Sequence, residues 1–95
     1  MSRMDVMSRM KEMIVIIQEA KDFMRFGDYQ ELDKLFAGFV PSEMSTEAML
    51  AWARATYPCA SRLPERGKFL YNAYREVESR NEDAQTIFQG LDIML

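Results

Sequence analysis

The chain has 95 residues, of which 48% are hydrophobic and 28% are charged, and its formal net charge is -3 at pH 7. This length and composition predict one globular domain over residues 1–95 with a modest core, and they exclude a disordered chain. The mild negative charge excludes a general electrostatic attraction to nucleic acid or to an anionic membrane surface.

The first predicted helix, from about Asp5 to Phe26, carries the longest apolar pattern in the chain. Intervals of four and three residues, typical of a packed helix or a coiled coil, separate Val6, Met10, Met13, Ile17, Ala20 and Met24. The stripe is either the core of one domain or, in addition, the contact surface of a dimer or larger homo-oligomer. In the second case the predicted interface residues are Met10, Met13, Ile14, Ile16 and Ile17.

Five of the nine methionines lie near the start of the chain, at Met1, Met4, Met7, Met10 and Met13. Two interpretations are open. Translation begins at Met7 and residues 1–6 are a frayed extension, or the flexible thioether side chains form an adaptable apolar surface for a partner.

A second helix is predicted from about Tyr29 to Phe39, folded back on the first as a hairpin. Gly27 is expected to end the first helix, and Asp28 to cap the second together with Glu31. A third helix follows from Thr46 to about Thr56. Ser45 is its expected N-cap, and its small side chains Ala48, Ala51 and Ala55 are expected to let the first helix approach closely.

The last two helices complete the predicted fold. After a loop over residues 57–63, the fourth helix is expected from Pro64 to about Ser79, since proline suits the first helical position. A short fifth helix follows Asn81 and extends to about Gln89, with residues 92–95 as an apolar tail. The fold class is therefore all-α, a small bundle of four helices plus a short fifth, with no sheet.

Catalytic chemistry has little support in the sequence. Histidine, the usual general base and a common metal ligand, is absent. The single cysteine, Cys59, has no histidine partner to activate it, and no glycine-rich phosphate loop is present. The carboxylates near Glu76 and Asp83 are interpreted as solvated charge. We predict a protein without enzymatic activity, cofactor or metal.

The strongest functional signal is the uneven distribution of charge. Residues 51–75 contain five basic residues and one acidic residue, whereas residues 76–95 contain one basic and five acidic residues. Basic and aromatic side chains in the first of these segments are typical of protein-binding surfaces. The predicted partner-binding residues are Trp52, Arg54, Tyr57, Arg62, Arg66, Lys68, Tyr71 and Arg75.

Three alternatives to this binding surface stay open. The same residues could bind nucleic acid or a nucleotide, although a helix-turn-helix is excluded because residues 57–63 form too long a connection and contain proline. The aromatic residues could instead belong to the core beside a solvated basic face. Finally, the acidic C-terminal region could be the surface that binds a protein.

The second half of the chain resembles small uncharacterised bacterial and prophage-type proteins. The resemblance is carried by Leu50-Ala-Trp-Ala-Arg-Ala-Thr56, Arg62-Leu-Pro64, Phe69, Arg80-Asn-Glu-Asp83 and Gln89-Gly-Leu91. It implies a small phage-encoded or mobile-element protein that inhibits or regulates a host protein by binding it. No binding residue is transferred by this resemblance.

The sequence predicts a soluble protein that is not associated with membranes. No apolar run approaches the roughly 18 residues that a transmembrane helix requires, and Asp5, Lys11 and Glu12 interrupt the N-terminal region where a signal peptide would be apolar. A single cysteine fits a reducing compartment. We therefore expect the protein in the cytoplasm, that of the host cell if a phage encodes it.

Overall fold

A computed structural model describes the backbone of residues 3–91 and the side chains of residues 13–91. Five α-helices form over this range: α1 (Arg3–Phe26), α2 (Tyr29–Leu35), α3 (Thr46–Thr56), α4 (Pro64–Ser79) and α5 (Ala84–Ile87). Short 3₁₀ helices cover Phe36–Gly38, Pro41–Glu43 and Tyr57–Arg62. No strand occurs between residues 3 and 91, so the predicted all-α fold of four helices plus a short fifth is confirmed.

The core is centred on α3, which packs against both α1 and α4. Helix α1 packs against α2 and α3, and α4 packs against α2, α3 and α5. The side chain of Trp52 on α3 is fully buried, and its ring lies 5.1 Å from that of Phe36 and 4.8 Å from that of Phe39 between centroids. Phe69 of α4 extends this aromatic cluster through an edge contact with Phe36. The cluster joins three segments of the chain around one indole ring.

The apolar stripe of α1 belongs largely to this core. Met13 and Ala20 are buried, and Ile17 and Met24 are half-buried against the core residues. The side chains of Val6 and Met10, together with the other N-terminal methionines, lie outside the described residues, as does the apolar tail at residues 92–95. The interpretation of the stripe as core is therefore supported from Met13 onwards.

Helix α1 ends as predicted, and Asp28 lies at the predicted N-cap position of α2, but the predicted capping box with Glu31 does not form. Gly27 adopts a left-handed φ of +73°, and the N–H groups of Gly27 and Asp28 donate to the carbonyl oxygens of Met24 and Phe23, the pattern of a Schellman motif. The Asp28 side chain makes no capping hydrogen bond. Its ψ of 60° departs from the extended conformation that N-cap residues adopt, and Glu31 pairs with Lys34 instead.

Other helix ends follow local chemistry more closely. The Ser45 side chain accepts a hydrogen bond of 3.1 Å from the N–H of Ala48 at the start of α3, and Pro64 is the first residue of α4, so both predictions are confirmed. The predicted loop after Thr56 is mostly a 3₁₀ helix with a kink at Cys59. Helix α5 is shorter than predicted, and Asp83 is its N-cap.

Candidate functional site

The eight predicted partner-binding residues divide into a buried pair and an exposed set. Trp52 is fully buried and Arg66 is 3% exposed, so neither forms part of the surface, and the expectation that they contact a partner directly is corrected. The other six are exposed: Arg54, Tyr57, Arg62, Lys68, Tyr71 and Arg75. Their role in binding stays a prediction.

The buried Arg66 side chain stabilises the C-terminal end of α3. Its Nε donates to the Thr56 Oγ1 at 3.0 Å, and its Nη2 donates to the carbonyl oxygen of Ala53 at 2.8 Å. The guanidinium also lies over the Tyr57 ring, 5.7 Å from its centroid. A cation at the carbonyl end of a helix is favoured by the helix dipole. Arg66 therefore joins α4 to α3 from the inside.

The start of α4 is held by a side chain from α2 and by short-range contacts of its basic residues. The N–H of Glu65 donates to Asp33 Oδ1 at 3.0 Å, so a side chain from α2 satisfies the first turn of α4. Lys68 pairs with Glu65 at 3.4 Å, and the Arg62 guanidinium lies 4.8 Å from the centroid of the Tyr29 ring. Much of the basic stretch is thus engaged in contacts within the domain.

An open groove of about 550 Å³ lies between α4 and the 3₁₀ helix Pro41–Glu43. We call it the α4 groove. Residues spaced by three or four along one face of α4 form one wall, and the segment that follows α2 forms the other. The first wall contains Tyr71, Asn72, Arg75, Glu76 and Ser79, and the second contains Val40, Pro41 and Ser42.

Arg75 and Tyr71 form an exposed hydrogen-bonded pair on the α4 wall. Arg75 Nη1 donates to the Tyr71 hydroxyl at 3.2 Å, and the guanidinium lies 5.8 Å from the centroid of the tyrosine ring. This hydrogen bond, with a smaller Coulombic contribution from the same side chain, raises the pKa of Arg75 above its ordinary value. Among the described residues, no carboxylate forms an ion pair with Arg75. The groove therefore presents a positive charge held in place by an aromatic ring.

Arg80 fixes the opposite wall. Its Nη2 donates to the carbonyl oxygens of Pro41 at 3.2 Å and Met44 at 2.7 Å, and its Nη1 donates to Thr46 Oγ1. The same guanidinium forms an ion pair with Glu76 at 3.2 Å, so the acidic side chain in the groove is already neutralised. Arg80 was not among the predicted site residues, because no local sequence pattern relates it to a proline 39 residues earlier.

Two polar side chains in the groove have unused hydrogen-bonding capacity. Asn72 and Ser42 are exposed, and within residues 13–91 neither side chain makes a hydrogen bond. Beside them, Tyr71 is 45% exposed and Val40 is 47% exposed. The groove thus combines apolar surface, a free amide, a hydroxyl and a cation within one concave region.

The acidic C-terminal region is less free than expected. Glu76 is half-buried in its ion pair with Arg80, and Glu82 accepts a 2.6 Å hydrogen bond from the Thr46 hydroxyl. The Asp83 carboxylate accepts hydrogen bonds from the Thr86 hydroxyl and N–H, which lower the pKa of Asp83 below its ordinary value. Glu76 pairs at the end of α4, Glu82 contacts the start of α3 and Asp83 caps α5. The interpretation as purely solvated charge was therefore wrong for Glu76.

The predicted oligomer interface is only partly available. Met13 is buried, and Ile16 and Ile17 are half-buried against the core. Ile14 is 54% exposed, as is its neighbour Val15 to a similar extent. The side chain of Met10 lies outside the described residues.

Residues 13–91 contain no group of three or more potential metal ligands. No helix in the described range combines the length and apolar character needed to cross a bilayer. Cys59 is half-buried as a free thiol.

Comparison of the chain with protein-family models, with curated proteins and with solved structures found no match. The resemblance of the second half to small bacterial and prophage-type proteins therefore stays a prediction.

Proposed function

We propose that this protein is a non-enzymatic module that binds another protein through the α4 groove. The observation that carries the proposal is the hydrogen-bonded Arg75–Tyr71 pair beside the exposed amide of Asn72 and the exposed Val40. Tyrosine and arginine are enriched among residues that contribute most to protein–protein affinity. The two side chains already contact each other in the unbound domain, which reduces the conformational freedom that is lost on binding.

The groove also favours a protein partner over nucleic acid. Binding to a phosphate backbone depends on several available cations acting together. Arg66 is buried and Lys68 is paired with Glu65, so two of the five cations in the basic stretch are engaged within the domain. Nucleic-acid binding is the second candidate, and the experiment below separates it from the first.

The concrete form of the proposal is an inhibitor or regulator that a phage or mobile element uses against a host protein. It is supported by the resemblance of the second half of the chain and by the small size of the domain. Such a protein would act in the cytoplasm of the host cell. It would need no cofactor, because its effect would come from occupying a surface of its partner.

The test is capture of partners from host lysate on the tagged protein, with and without nuclease treatment. We expect a stoichiometric protein that survives nuclease and is lost from the double variant Tyr71→Ser, Arg75→Gln. The matched control is Arg25→Gln, which changes an exposed arginine on α1 outside the groove. Recovery that requires nucleic acid would favour the second candidate, and equal capture by the groove variant would refute the groove as the binding site.

We also propose that copies of the chain associate through α1, with Ile14 as the exposed apolar contact. Ile14→Glu should give a smaller species by light scattering, because a charge would be placed in an apolar interface. Phe26→Glu is the matched control, since Phe26 is also exposed on α1 but lies outside the predicted interface. An unchanged mass for Ile14→Glu would contradict association through this face.

A further inference from the structure

We propose that the segment bound in the α4 groove is an extended peptide that places an aspartate or glutamate side chain on Arg75. This inference rests on the proposed function and adds the chemistry of the ligand. It follows from the charge in the groove, from the free amide of Asn72 and from the spacing of the residues along α4.

The charge of the groove selects an acidic ligand. Glu76 is neutralised by Arg80 at 3.2 Å, whereas Arg75 donates to the neutral Tyr71 hydroxyl. The positive charge of Arg75 is therefore the one left for a ligand among the residues that line the groove. Glu78 also attracts Arg75, but it contributes least among the causes of the raised pKa of Arg75. Arginine is suited to carboxylates, because its planar donors match both oxygens.

The free amide of Asn72 selects a peptide main chain. A primary amide has both donors and an acceptor, so one Asn72 side chain can bond to an N–H and a C=O of the same extended strand. Asn72 already lies in the groove without a hydrogen bond to the described residues. A helical ligand would not use it in this way, because a helix satisfies its own main-chain groups except at its ends.

The spacing along α4 fits a strand that runs beside the helix. Asn72 and Arg75 are three residues apart, which corresponds to about 4.5 Å along the helix axis. An extended peptide rises by about 3.3 Å per residue and points alternate side chains to the same side. An acidic residue one or two positions from the residue that bonds to Asn72 would therefore reach Arg75. A second, apolar side chain would contact the exposed surfaces of Tyr71 and Val40.

Arg80 acts as a positioning residue for this site. It holds the Pro41 and Met44 carbonyl oxygens, and so keeps Val40 and Ser42 opposite α4. The groove thus has its shape before a ligand arrives, which reduces the entropic cost of binding.

The test begins with a display library of random nine-residue peptides selected on the whole protein. The enriched peptides are synthesised with blocked ends, and their dissociation constants are measured by fluorescence anisotropy. We expect enrichment of peptides with aspartate or glutamate near an apolar residue. Binding should weaken about tenfold for Arg75→Gln, the loss expected for one charged hydrogen bond, and should be unchanged for Arg25→Gln.

A double-mutant cycle then assigns the contact. Replacing the acidic residue of the peptide by its amide should cost the wild type about tenfold, but should cost Arg75→Gln almost nothing more, because both changes remove the same interaction. Asn72→Ala should weaken the acidic and amide peptides by the same factor, since its bonds go to the main chain. Circular dichroism of each variant confirms that the fold is retained.

The outcomes separate the two proposals. Enriched peptides that lack acidic residues but lose affinity in Tyr71→Ser would overturn the acidic ligand and leave the groove as a protein-binding site. Enriched peptides whose affinity is the same for Tyr71→Ser, Asn72→Ala and Arg75→Gln would overturn both proposals. Failure to enrich any peptide would also count against both, because a preformed groove of this kind should select some extended ligand.

Discussion

Arg66 and Arg75 lie on the same helix, and their different environments show how a basic stretch divides between structure and surface. Their guanidinium groups lie at nearly the same distance from a tyrosine ring, 5.7 Å and 5.8 Å. Arg66 is buried and donates to α3, whereas Arg75 is exposed and donates to Tyr71. Nine residues of helix correspond to about two and a half turns, so the two side chains point in opposite directions. An arginine–tyrosine contact therefore does not reveal by itself which arginine is available to a partner.

The largest expected difference in unfolding free energy is between a buried and an exposed aromatic residue of segment 51–75. Trp52→Ala should lower the free energy of unfolding by about 3–5 kcal/mol, because it empties a fully buried site between two phenylalanine rings. Tyr71→Ala, on the exposed side of α4, should cost less than about 1 kcal/mol. Urea unfolding followed by circular dichroism measures both. Similar losses for the two variants would mean that the inner and outer aromatics are not distinct.

For the two arginines, replacement by methionine should likewise lower the free energy of unfolding more at the buried Arg66 than at the exposed Arg75. Arg66→Met should lower the free energy of unfolding by about 2–3 kcal/mol, since the Ala53 carbonyl and the Thr56 hydroxyl lose charged donors inside the domain. Arg75→Met should leave it nearly unchanged, because the Arg75 side chain is exposed. The same unfolding experiment decides the matter, and a stable Arg66→Met would return Arg66 to the candidate surface residues.

The loss of stability expected on replacing Arg80 lies between those for Arg66 and Arg75, because Arg80 is partly buried and bridges two segments. Arg80→Met should cost about 1–2 kcal/mol and should also free the 3₁₀ helix Pro41–Glu43, whose first carbonyl it holds. Hydrogen exchange should therefore become faster at the amides of Glu43 and Met44, which donate to Val40 and Pro41. Arg25→Gln serves as the control, and unchanged exchange in Arg80→Met would show that the turn holds itself.

The smallest expected effect on stability concerns Asp83, and it is lost in acid. Its folded pKa lies below the value of about 3.8 expected for the unfolded chain, because the Thr86 side chain and N–H donate to the carboxylate. The stabilisation is therefore complete above this value and is lost as the pH falls through the folded pKa. Asp83→Asn should have a lower Tm than the wild type at pH 6, and the difference should shrink towards pH 2. A difference that is constant with pH would contradict this contribution.

Whether each structural prediction was correct depended on the sequence separation of the residues whose interaction decides it. The bounds of α3 and α4 were predicted as Thr46–Thr56 and Pro64–Ser79, and both are confirmed. The Ser45 cap and the proline at the start of α4 act within a single turn. Asp28 is the N-cap residue of α2 as predicted, but its side chain makes no capping hydrogen bond. Its N–H takes part in ending α1, and its ψ of 60° departs from the extended N-cap conformation.

The candidate site was predictable only in its composition. Tyr71 and Arg75 were expected at a binding surface, but Trp52 and Arg66 were assigned to the same surface and are buried. The sequence order of basic and aromatic residues does not specify which side of a helix faces the core when both sides carry them. Periodicity along α4 contained part of this information, since nine residues separate its two tyrosine-contacting arginines.

The amino-acid sequence by itself determined the helical class of this protein, the ends of α3 and α4 and the set of residues from which a site could be built. Those features depend on side chains within about one helical turn of each other. The tertiary structure alone decided that Asp33 holds the start of α4 and that Arg80 holds the Pro41 carbonyl, contacts between residues 32 and 39 positions apart. Such contacts form only when the core has brought the helices together, because their geometry depends on packing and not on the local pattern.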